Sequence, residues 1–380
     1  MAGDLHLTES RGGLALAMIA TAFGMPALGE SPYTWGVAYT GEWWRNADGG
    51  LDTGTRYLDN LDVTLAIDAE RAFGLPGVEF FLYGLYNNGH SFGGELTGDM
   101  HGVSNIETGV QAARLYEAWA DWRFGQSRHQ SLRFGLYDLN SEFDSIGSGA
   151  LFINSAHGVG SELGDSGRNG PSIFPVTSLA LRWRGEFDRW TVLTAVFDGV
   201  PGDPAHPKRT AIRFDRGDGA LLIGEVHRSG ERVRKAGIGV WHYTADFPDI
   251  GTTDANGAPV MHSGSSGLYG LVDVRLLGDI ETPDRQLTAF LRAGFADSDV
   301  NAIKRYIGAG VTWRGIGLAY AHAHAVVPVR GTEENIELTW RLPVTGQLTL
   351  QPDVQYIINP GLEPNSDHAL AVGLRFELAY

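Results

Sequence analysis

From Asn60 to Ala69 the chain alternates between apolar and polar positions. Leu61, Val63, Leu65, Ile67 and Ala69 fall on one side, and Asn60, Asp62, Thr64, Ala66 and Asp68 on the other. The same period returns in Ile336–Leu342 and Leu348–Ile358, and most completely at the end of the chain. There Leu370, Val372, Leu374, Phe376, Leu378 and Tyr380 alternate with Ala371, Gly373, Arg375, Glu377 and Ala379. A period of two places the two sets on opposite faces of a sheet.

Applied along the whole chain, this pattern predicts strands near 33–44, 57–70, 78–88, 111–124, 131–140, 176–187, 190–199 and 218–228. Further strands follow near 234–245, 266–276, 286–297, 304–314, 316–326, 333–342, 346–358 and 368–380. Short connections (188–189, 229–233, 315, 343–345) separate some of them, and long ones (89–110, 141–175, 200–217, 246–265) separate others. A soluble sandwich has no reason to gather its long loops at one end, whereas a membrane barrel with short turns and long external loops does. Aromatic residues also sit where strands meet the membrane surface. Tyr33 and Trp35 open the first strand and Trp43 closes it, while Trp183, Trp313, Trp340 and Tyr380 end others. The expected fold is therefore all-β, a transmembrane antiparallel β-barrel of about sixteen strands. Its third external connection, Ser141–Pro175, is the longest and is expected to fold inward, since irregular backbone is tolerated at membrane depth where it lines a wet cavity. Arg375 and Glu377 must then face that lumen, because lipid cannot satisfy a charge.

Composition agrees with many short strands: 52 Gly and 40 aromatics stand among 380 residues. Zero cysteines exclude disulfides and thiolate chemistry, and a net charge of −16 argues against a nucleic-acid partner. Residues 1–29 read as a signal peptide, with Arg11 ahead of the apolar Leu14–Leu28 and Ala27-Leu28-Gly29 as a cleavage site, although Asp4 and Glu9 make it acidic. Residues 30–380 then form a single outer-membrane barrel domain. No other stretch approaches the roughly 20 apolar residues of a membrane helix.

Gly167-Arg168-Asn169-Gly170-Pro171-Ser172-Ile173-Phe174-Pro175 resembles the signature of the carbohydrate-selective porins, the OprB-type family. Leu115-Tyr116-Glu117-Ala118-Trp119, Arg133-Phe134-Gly135-Leu136-Tyr137-Asp138 and Ser141-Glu142-Phe143 also resemble it, as does the amphipathic terminus. The resemblance runs from about Tyr33 to Tyr380. It implies a sixteen-stranded porin of a Gram-negative outer membrane that passes sugars by diffusion through an eyelet of charged and aromatic groups. The implied partners are sugars as permeating solutes, outer-membrane lipid, and the barrel-assembly machinery that reads the last strand. No cofactor, metal or enzymatic activity is expected, and homo-oligomerisation is left open.

Candidate lining residues follow from which side of each strand is wet. Glu117, Trp119, Asp121 and Arg123 share a face opposite Tyr116, Ala118, Ala120, Trp122 and Phe124. With the second set toward lipid, Trp119 is placed to stack on a sugar ring or to pack under the loop. Glu117, Asp121 and Arg123 form either a hydrogen-bonding lining or a self-neutralising wall. Arg133 and Arg168 are candidate eyelet cations, since arginine offers several fixed donors. Their alternative role is to pin the loop to wall acids such as Glu117 or Asp62. Glu142, Asp144 and Asp165 offer acceptors on the loop. His322-x-His324 has a metal-compatible spacing without a third ligand and reads as an ordinary wall pair. Asp138 and Glu142 show no substrate cleft that would make them glycosidase acids. Alternatives to a sugar-preferring porin are a general or polyol-permeable porin, an outer-membrane barrel enzyme, and a surface receptor.

Overall fold

A computed structural model of the chain describes residues 31–279, 282, 285–325, 331–362 and 366–380. The leader expected at 1–29 lies outside the described residues. Sixteen antiparallel strands close on themselves. They are β1 (Tyr33–Asp48), β2 (Gly54–Asp68), β3 (Val78–Asn87), β4 (Ala112–Phe124), β5 (Gln130–Tyr137), β6 (Ser178–Phe187), β7 (Trp190–Asp198) and β8 (Ala220–Arg228). The wall continues with β9 (Val233–Thr253), β10 (Pro259–Leu277), β11 (Leu287–Ala296), β12 (Ile303–Trp313), β13 (Ile316–Ala325), β14 (Thr332–Trp340), β15 (Leu348–Ile358) and β16 (Ala369–Ala379). The short segment Leu342–Pro343 continues β14 past Arg341 along β15. Each strand pairs with its sequence neighbour, and β1 pairs with β16 to seal the barrel.

The last strand behaves as its alternation demands. Val372 and Leu374 are exposed on the outside, whereas Arg375 is buried inside and held by Glu42. At the end of the barrel with short turns, Tyr33, Trp35, Trp122, Trp190, Trp313, Trp340 and Tyr380 are all exposed. They form an outward aromatic girdle of the kind that marks a membrane interface.

Two expectations need correction. The segment 246–265 is mostly not a loop: β9 and β10 continue to Thr253 and from Pro259, leaving a tight turn at 254–258. Their outer halves carry Asp246, Pro248 and Ser263 where a lipid-facing strand would carry apolar residues, so membrane alternation could not reveal them. Tyr116 also does not face lipid. A bulge in β4 opposite Tyr83 and Gly84 leaves Tyr116 as an extra residue, and both it and Glu117 are buried on the inner side.

The long loops leave from the opposite end to the girdle. In chain order the connections there begin with L1 (49–53), a short turn, then L2 (88–111), L3 (138–177) and L4 (199–219), and four further connections follow, each shorter than L2, L3 or L4. L3 and, beyond the single inward loop expected, L2 fold back into the lumen.

Candidate functional site

L3 enters the barrel because it carries its own apolar side. Leu139, Phe143, Ile146, Phe152 and Leu163 are at most 3% exposed. They pack on inward side chains of β7 to β11, including Phe197, Ile223, Trp241, Tyr269 and Phe290. Tyr137 stacks on Phe197 with ring centroids 5.6 Å apart. Such burial contributes roughly 1.5–3 kcal/mol per large side chain, enough to hold a loop that has almost no ladder of its own.

The L3 backbone still needs hydrogen-bond partners, and charged wall residues supply them. Glu225 on β8 accepts from the Asp144 amide at 2.9 Å. Asp273 on β10 accepts from the Ser148 amide at 3.0 Å and from its hydroxyl. Glu337 on β14 accepts from the amides of Ile153 (2.6 Å) and Asn154 (3.1 Å). Lys235 on β9 donates to the Ser145 carbonyl at 3.0 Å and pairs with Glu225 at 2.8 Å. Arg292 on β11 is the most connected post. Its Nε lies 2.9 Å from the Asp144 carboxylate, and its Nη2 donates to the carbonyls of Asp144 and Gly158.

L2 is seated in the same manner on the other side of the barrel. Phe92, Leu96 and Val103 pack against Trp44, Leu58 and Ile357, and Glu333 accepts from the amides of Met100 and His101.

Where L3 leaves β5, the register aligns a rung of charge across the wall. Glu79, Asp121, Arg133 and Arg182 face one another in sequence across β3 to β6. Arg182 donates to both Asp121 and Glu142 at 2.7 Å, and Arg133 lies 3.1 Å from Asp121 and 3.9 Å from Glu142. Arg184 completes the set at 3.3 Å from Glu142 and 2.8 Å from Glu186. Glu142 also accepts from the Tyr137 hydroxyl. Burial alone would raise its pKa, but Arg182, Arg133 and Arg184 hold it well below the carboxylate range.

One step toward the loop end lies an acceptor-rich band. Tyr83 donates to Asp62 at 2.7 Å, and Tyr116 donates to Asp138 at 2.8 Å. The two phenol rings meet edge to face at 5.0 Å. Glu117 accepts from the Trp119 indole at 2.9 Å.

These contacts place the residues expected from sequence. Glu117, Trp119, Asp121, Arg133 and Glu142 come together at one patch, with Asp62 beside them on β2. Trp119 is sealed: Phe81 stacks on it at 5.0 Å, and the Arg133 guanidinium sits 3.8 Å from its ring centre. It packs against the wall and offers no open face to a solute. Arg133 is not tied to Glu117 or Asp62 by an ion pair; its partners are Asp121 and Glu142. Arg123 is partly exposed, 4.0 Å from Glu79 at the turn end. Arg168 stands apart, donating to the Asp246 carbonyl at 2.9 Å and lying 3.9 Å from Asp218. Of the loop acids, Asp144 is buried against Arg292 and Asp165 is exposed. His322 and His324 point out of the barrel, alternating with the buried Ala321, Ala323 and Ala325. The sequence reading missed Tyr83, Arg182, Arg184 and the posts Glu225, Asp273, Arg292 and Glu337. Their one signal was an ionisable residue on the inward side of a strand whose outward side is mostly apolar.

Residues 52–380 match the family described as "Carbohydrate-selective porin, OprB family". The chain belongs to that family. It is a passive outer-membrane diffusion porin, a channel and not an enzyme. Among its relatives is Porin B of Pseudomonas aeruginosa, 24% identical over 410 residues, covering 92% of this chain and 88% of that one. The structure of Pseudomonas putida OprB at high pH superposes with a TM-score of 0.79 at 22% identity, over 92% of this chain and 94% of that one. A triple mutant of Rhodopseudomonas blastica porin superposes at 0.51 with 10% identity, over 91% and 100% of the two chains. At these identities the structural likeness speaks for the fold of the porin. The barrel fold is thus shared beyond its nearer kin.

Proposed function

We propose that neutral sugars cross this porin along the band of Asp62, Tyr83 and Asp138. The observation that carries this reading is which aromatic ring remains open. Trp119 is covered on both faces, whereas Tyr83 is only partly buried on the lumenal side, with its hydroxyl fixed to Asp62. A sugar ring offers an apolar face to such a platform and hydroxyls to the carboxylates beside it. The arginines Arg133, Arg182 and Arg184 stand nearer the turn end, already neutralised by Asp121 and Glu142. A rung whose arginines are paired internally gives little preference to anions at that level and leaves hydrogen bonding as the main interaction along the band.

Replacing Tyr83 with alanine is expected to slow glucose-driven swelling of porin liposomes about fivefold, an effect of about 1 kcal/mol for one lost stacking contact. Tyr83→Phe keeps the platform and is expected to retain most of the rate. Equal swelling for wild type and Tyr83→Ala would refute the path and favour a general porin.

The same reading assigns residues 1–29 as a leader for export. It takes the Leu370–Tyr380 alternation as the signal for barrel assembly in a Gram-negative outer membrane, and the exposed tryptophans as the contact with lipid.

A further inference from the structure

Glu162 is the one buried L3 acid that the described contacts leave without a partner on another residue. It sits in the short helix α2 (Ser161–Gly164, after α1 at Ala69–Phe73), is 1% exposed, and neither carboxylate oxygen finds a donor. The wall has been shaped to take it. A Cβ added at Gly294 on β11 would lie 1.6 Å from Glu162 Oε1, so the carboxyl group in this position fills the space that the glycine leaves open. The helix packs on β11 and β12, and the charged or titratable groups facing Glu162 from there are Arg292 and Tyr306. Within L3 the facing group is Asp144.

Arg292 does not neutralise Glu162, because its guanidinium is committed to Asp144 and to the carbonyls of L3. Tyr306 donates to the Ala156 carbonyl at 2.7 Å. A carboxylate here would be buried, unsolvated and close to a second negative charge. A carboxylic acid in the same place is a compact polar group that fits.

We propose that Glu162, seated on Gly294, is a positioning residue that holds the L3 constriction closed while it carries a proton and releases it when that proton is lost to solvent. The proposal rests on L3 setting the width of the passage. Burial first, and the Asp144 charge second, raise the Glu162 pKa to about 8, so the transition falls within an accessible range. The sign follows directly. Below pH 8 the acid is neutral and L3 is seated; above it the ion is repelled from its niche and L3 loosens.

The test is single-channel recording of the full-length porin in planar bilayers from pH 6 to 9.5. Wild type is expected to show a step up in conductance and open-channel noise centred near pH 8. Glu162→Gln, isosteric and uncharged, is expected to stay in the quiet, low-conductance state throughout. Gly294→Ala is expected to resemble the high-pH state at every pH. Glucose swelling that responds to Arg292→Ala shows separately that L3 sets the width. A step at pH 8 that persists in Glu162→Gln, or its absence from wild type, would overturn the proposal.

Discussion

Replacing Arg292 with alanine is expected to undock L3 and roughly double single-channel conductance while erasing discrimination among sugars of different size. Four acceptors depend on this one side chain: the Asp144 carboxylate and the carbonyls of Asp144, Ala156 and Gly158. The substitution leaves the Asp144 carboxyl buried near Glu225, with the Gly160 amide as its remaining donor and Lys235 as the remaining nearby cation. Removing one partner of a buried ion pair costs roughly 3–5 kcal/mol, about what two apolar side chains of the loop contribute. Arg292→Lys keeps the charge but not the fork of donors and is expected to fall between the two. The barrel wall itself does not depend on L3, because its ladders close through β1 and β16. Heat-modifiable migration on a gel should therefore persist while sugar swelling loses its size cut-off.

Glu142→Gln is expected to turn a nearly indifferent channel toward anions. Three arginines converge on this carboxylate, and once its charge is gone only Asp121 and Glu186 answer them. A unit charge at 4 Å is worth about 1 kcal/mol in water, which corresponds to about a fivefold rise in the chloride-to-potassium permeability ratio. Reversal potentials across a potassium chloride gradient measure it. Glucose swelling should change little, since the Tyr83 band is untouched. The same group governs acid behaviour. Its folded pKa is depressed below 4.5, so its stabilisation is full above that value and is lost as pH falls through the acidic range. Glu142→Gln should thus remove part of the acid sensitivity of L3 docking.

How much of this was visible in the sequence depends on which physical constraint acted on each residue. The wall was legible because lipid enforces alternation without exception: β16 and β15 follow it residue for residue. The outer halves of β9 and β10 escaped because no lipid constrains them there. Tyr116 escaped because one extra residue inverts a face, and nothing local in Tyr116-Glu117 announces a bulge. The charged patch was half legible. Asp121 and Arg133 lie on adjacent wall positions that alternation alone places inward. Arg182 and Glu142 join them only through cross-strand register and the path of L3, which are properties of the closed barrel. The reversal of roles between Trp119 and Tyr83 is of the same kind. Both rings face inward by sequence, and only packing decides which one Phe81 and Arg133 cover.

With L3 docked and the arginine rung neutralised by Asp121, Glu142 and Glu186, the passage should favour neutral sugars over ions of the same size. Liposome swelling with purified porin, comparing glucose with an anion and a cation of similar size, tests it most directly. Glucose should enter several-fold faster than either ion. Equal rates for all three solutes would contradict it.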